Sequence, residues 1–71
     1  MNKAQPRGPA AQLARLFRRA GVFLLKGNRS DALKVFRAGE RLAQTLGDEE
    51  KLALFLQEIA LCEARDRAST P

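Results

Sequence analysis

The sequence predicts an all-α chain of three helices, and three observations carry that expectation. Ala, Leu, Arg, Glu and Lys dominate the 71 residues, and these are the strong helix formers. β-Branched residues are scarce (Val22, Val35, Thr45, Ile59 and Thr70) and Tyr and Trp are absent, which disfavours strands. Apolar residues recur at spacings of three and four through three segments, separated by Gly27-Asn28 and Gly47-Asp48. That recurrence is the helical period, and Gly is the residue favoured just past a helix end.

The first nine residues hold two prolines and no apolar period, so residues 1–9 are expected to be a flexible tail. Pro9 suits a first helical turn, where its missing N–H is harmless. Helix one is expected from Ala10 to Lys26, with Leu13, Leu16, Phe17, Ala20, Phe23 and Leu24 as its apolar stripe. Gly21 weakens the middle by about 1 kcal/mol or marks the close approach of a neighbouring helix. Asn28 and Ser30 are both candidates to cap the second helix.

Helix two is expected from Arg29 to Leu46. Ala32, Leu33, Phe36, Gly39 or Glu40, Ala43 and Leu46 keep the period, widened by Val35 and Leu42. Asp48 then caps a third helix, and Glu49 and Glu50 occupy a first turn that the helix dipole makes favourable for acids. This helix is expected from Glu49 to Ala64 or slightly beyond, with Leu52, Phe55, Leu56, Ile59 and Ala60 facing inward. Leu54 and Leu61, seven residues apart, fall on another side. The helical domain thus spans residues 10–66, and residues 67–71 read as a frayed end.

From the first turn onward the chain resembles the tetratricopeptide repeat, a helix pair of roughly 34 residues with fixed small and large positions. Leu16 is followed by small Ala20 and aromatic Phe23, and Gly27-Asn28 matches the family's Gly-Asp or Gly-Asn turn. Ala32 stands where a small residue lets the second helix approach the first, with Phe36 and Gly39 at the next aromatic and small positions. Leu42-Ala43 closes the helix. Leu46-Gly47-Asp48 resembles the loop of longer-repeat variants, and Leu56, Ile59 and Ala60 look like the start of a next repeat. The resemblance covers Leu13 to Ala64. Arg19, Gln44 and Glu63 depart from it, so it implies one repeat with a closing helix rather than an array. It implies a protein-binding scaffold, with no substrate or cofactor.

Read without the resemblance, the residues point the same way. No histidine is present, so a histidine base and a zinc ligand set are both lacking. The only cysteine, Cys62, has no partner for a disulfide or for nucleophilic catalysis and reads as a core or interface residue. Asp48, Glu49 and Glu50 are consecutive at a helix start, which fits capping better than metal binding. No enzyme activity, metal or cofactor is therefore expected. No apolar run approaches the roughly 18 residues of a membrane span, and a lone cysteine suits a reducing compartment. A cytoplasmic location is the expectation.

The net charge is +5, yet residues 1–29 carry Lys3, Arg7, Arg15, Arg18, Arg19, Lys26 and Arg29 with no acid at all. An Arg-rich, acid-free start is the pattern of a transit peptide, but this one also carries the apolar stripe that helix two needs. Two function classes follow. The first is a small adaptor or chaperone-like subunit that binds an amphipathic helix or forms a homodimer, because a lone repeat cannot bury its apolar faces. Val22, Leu25, Leu54 and Leu61 are its candidate contact residues. The second is a basic nucleic-acid binder using Arg15, Arg18, Arg19, Lys26 and Arg29, since several phosphate contacts of this kind are required. Among those positions only Gln12 adds an amide suited to reading bases.

Overall fold

The computed structural model describes residues 8–69, the last three by their backbone alone. It contains three α-helices, α1 (Pro9–Leu25), α2 (Arg29–Leu46) and α3 (Glu49–Ser69), and no strand among the described residues. The expected all-α, three-helix architecture is what forms. Residues 1–7 of the expected tail, with Thr70 and Pro71, lie outside the described residues. Pro9 opens α1 as its first helical residue, and Gly8 precedes it in extended conformation. Residues 67–69, expected to fray, continue the helix as far as Ser69.

Both turns are built the same way. Gly27 and Gly47 adopt positive φ, 77° and 71°, a region open to glycine because it has no Cβ. At the first turn the Asn28 N–H donates to the Phe23 carbonyl and the Gly27 N–H to Leu24. At the second, Asp48 donates to Ala43 and Gly47 to Gln44. This is the Schellman pattern, which satisfies carbonyls left open at a helix end. The residue after each glycine then caps the following helix. Asn28 Oδ1 accepts from the Asp31 N–H at 3.3 Å, and Asp48 Oδ1 accepts from the Lys51 N–H at 3.1 Å. Asn28, not Ser30, is therefore the cap of α2.

Turns this short fold each helix back along its predecessor. α2 packs along both α1 and α3, whereas α1 and α3 meet at few points. α2 is thus the shared middle element, while α1 and α3 meet chiefly through the rings of Phe17 and Phe55. The core consists of Leu13 and Ala20 from α1, Ala32, Phe36 and Ala43 from α2, and Phe55, Ile59 and Cys62 from α3. Phe17, Phe36 and Phe55, one from each helix, form a mutual edge-to-face cluster with ring centroids 5.5–6.3 Å apart. Such pairs add about 0.5–1.5 kcal/mol each beyond the area they bury.

The structure decides two alternatives the period left open and departs from the expected stripes at Leu46, which is exposed, and on α3. Gly39, not Glu40, is the buried member of its pair, and a Cβ there would overlap the Phe55 ring. Gly21 has nothing within 4 Å of the place a Cβ would take, so it marks no close approach. On α3 the inward line is Leu52, Phe55, Ile59 and Cys62, while Leu56 and Ala60 are exposed. α3 leans on a single neighbour along most of its length, which leaves room for only one narrow line of contact.

Candidate binding grooves

The backbones of α1 and α3 approach at few points, and a groove of about 260 Å³ opens between them beside the Phe17–Phe55 contact. Leu13, Ala14, Phe17 and Arg18 line it from α1, and Lys51, Leu54 and Phe55 from α3. Its floor is the edge of the core: Leu13 and Phe55 are almost wholly buried. Phe17 packs its ring against Phe36 and Phe55 and still leaves 36% of its surface open. Arg18 and Lys51 set positive charge on the two walls.

A second groove, about 320 Å³, lies between α1 and α2. Leu16, Ala38 and Leu42 form an aliphatic floor, and Gln12, Arg15 and Arg19 stand along one wall. Arg15 and Arg19 are one helical turn apart, so their side chains rise from the same side of α1.

Comparison with protein-family models, curated proteins and solved structures finds no match for this chain.

The four residues expected to contact a partner are all exposed, Leu25 most of all at 89%. They do not form one patch. Leu54 lines the α1–α3 groove, and Leu61, two turns further along, lies on the same side of α3. Val22 comes nine residues after buried Leu13, half a revolution away at about 100° per residue, and so faces outward from α1. Leu25 is the last residue of α1. Phe17 is the groove residue that sequence reasoning missed. Its spacing assigns it to the inner stripe, and only the position of α3 decides that about a third of it stays accessible.

The basic residues also divide. Arg15 and Arg19 border one groove and Arg18 the other. Arg29 donates to Asp66 at 2.6 Å across to α3. Lys26 is exposed at the C-cap of α1. Arg15, Arg18, Arg19 and Lys26 are all exposed on α1, whereas Arg29 belongs to α2 and is engaged with Asp66. Arg15, Arg18 and Arg19 have no acidic partner among the described residues.

Other chemistry-bearing groups are engaged in the fold. The Asp48 carboxylate caps α3. Arg37 bonds Glu63 across the α2–α3 contact. Cys62 is buried in the core, and burial, aided by the negative charge of Glu58 and Asp66, pushes its thiol above the ordinary value. No group of three His, Cys, Asp or Glu side chains is placed to hold a metal ion among the described residues. No described helix is long and apolar enough to cross a membrane.

Proposed function

We propose that this chain is a small protein-interaction adaptor of tetratricopeptide-like build, whose α1–α3 groove receives the apolar face of a helix from a partner protein. The observation that carries this reading is the groove lining. Leu13, Ala14, Phe17, Leu54 and Phe55 form a concave apolar strip continuous with the core, and amphipathic helices dock in grooves of this kind through side chains one turn apart. Leu61 extends the strip along α3. Burying one such side chain is worth roughly 1.5–3 kcal/mol, so a handful of contacts suffices for a stable complex. With no partner present, a second copy of the chain is the default occupant, since two-fold dimers are the commonest self-assembly. The reading makes the protein a binder rather than an enzyme, and the free thiol of Cys62 suits it to a reducing compartment such as the cytoplasm.

The test is capture from a native lysate on the immobilised chain, with and without nuclease, beside the double variant Leu54→Lys/Leu61→Lys. Protein partners that survive nuclease and are lost with the double variant support the adaptor. Loss of every partner on nuclease treatment supports the nucleic-acid binder instead.

A further inference from the structure

The α1–α2 groove lies on a different side of α1 and has a different character from the α1–α3 groove. Its floor is aliphatic, made by Leu16, Ala38 and Leu42, and its wall carries Gln12, Arg15 and Arg19. No acid lines it, and neither arginine has an acidic partner among the described residues. Arg29, Lys34 and Arg37 pair with Asp66, Asp31 and Glu63, whereas Arg15 and Arg19, like Arg18 and Arg41, have no acidic partner among the described residues, and of these four only Arg15 and Arg19 stand together along this aliphatic floor.

We propose that the α1–α2 groove is a second binding site, which takes an acidic helical segment of a partner protein by pairing two of its carboxylates with Arg15 and Arg19 and seating an aliphatic side chain over Leu16 and Leu42. The geometry selects this occupant. Guanidinium groups one turn apart on α1 match carboxylates one turn apart on a facing helix, because residues four apart project about 5–6 Å from one another. Each guanidinium can hold a carboxylate through two parallel N–H donors, and the Gln12 amide adds a neutral donor beside them. The groove has no aromatic ring on which a nucleobase would stack. With both grooves occupied, α1 would be held between two partner segments, and the chain would bridge them.

The site is tested with the full-length chain and a fluorescein-labelled helical peptide that carries glutamates four residues apart beside a leucine. A second peptide replaces the glutamates with glutamine. Fluorescence anisotropy should show the glutamate peptide binding, and the glutamine peptide binding about tenfold more weakly or worse, the size expected for losing charge-assisted hydrogen bonds. Arg15→Gln/Arg19→Gln should weaken the glutamate peptide by a similar factor while its circular dichroism matches the wild type, because both arginines are exposed. Added salt should weaken binding as well. Leu54→Lys/Leu61→Lys should leave this binding unchanged, which separates the site from the α1–α3 groove: either groove can fail its test while the other passes. Failure of the glutamate peptide to bind, equal binding of the glutamine peptide, or indifference to the arginine substitutions overturns the proposal. So does tighter binding of oligothymidylate or of phosphatidylserine vesicles through the same two arginines.

Discussion

Two glycines inside helices make the sharpest residue-level contrast. Gly39 lies under the Phe55 ring, while Gly21 faces open space. Gly→Ala in a helix interior gains roughly 0.5–1 kcal/mol when nothing is in the way, so Gly21→Ala should stabilise the fold by that amount. Gly39→Ala should instead lose about 1–3 kcal/mol to overpacking, partly offset by the same helical gain. Urea denaturation of the two variants would give midpoints displaced in opposite directions, and a shift in the same direction would show the Phe55 contact to be misplaced. Ala32, fully buried in the core, should respond like Gly39, with Ala32→Leu costing on the order of 1–3 kcal/mol. Cys62 adds a pH dependence. Its folded thiol titrates above the ordinary value of 9.0, so the unfolded chain releases the proton first. The stability it contributes is complete below that value and declines as pH rises from there through the higher folded one. Urea midpoints at pH 7 and pH 10 should therefore fall further for the wild type than for Cys62→Ala. Much of this was readable beforehand: the small positions 20, 32 and 39 follow from spacing and resemblance. What spacing could not settle is which glycine lies under a neighbour, because that depends on the line along which α3 packs.

At the level of elements, the turns were the most legible part of the chain. A glycine followed by Asn or Asp encodes both the end of one helix and the start of the next, and the observed hydrogen bonds use those side chains and backbone groups locally. Asn28→Ala and Asp48→Ala should each cost about 1 kcal/mol, measurable as a lowered thermal midpoint. α3 was the least legible element. Leu52, Leu54, Phe55, Leu56, Ile59 and Leu61 surround its axis, so the period alone permits several inward lines, and it does not place Cys62, a core or interface candidate by residue type, on any one of them. The structure selects the line on which Phe55 reaches the hollow at Gly39. The ion pairs between α2 and α3 are solvent-exposed, and such pairs contribute only about 0–1 kcal/mol. Arg37→Ala should consequently move the urea midpoint far less than Phe55→Ala, a truncation that costs about 3–5 kcal/mol in a core.

For the whole molecule the decisive quantity is association. Phe17, Leu54 and Leu61 leave an apolar strip beside a core too small to cover it, and sedimentation equilibrium should find the wild type self-associating at high concentration. Leu54→Lys/Leu61→Lys should be monomeric with its helix content intact; a wild type that stays monomeric and captures no helical protein would leave the strip without a function. The separation of the two grooves was not legible in the sequence, because helical period describes one helix at a time and a groove belongs to two. The placement of α2 between the outer helices also governs how the molecule comes apart. α1 and α3 each rest mainly on α2 and meet each other chiefly through Phe17 and Phe55, so either can detach while the remaining pair stays joined. Opening should therefore proceed from the outside inward rather than all at once. Amide hydrogen exchange should be slowest in α2 around Phe36, faster in α1, and fastest toward the Ser69 end of α3. A bound helix in the α1–α3 groove, touching both outer helices, would slow exchange in the two of them together and turn a stepwise unravelling into a single cooperative one.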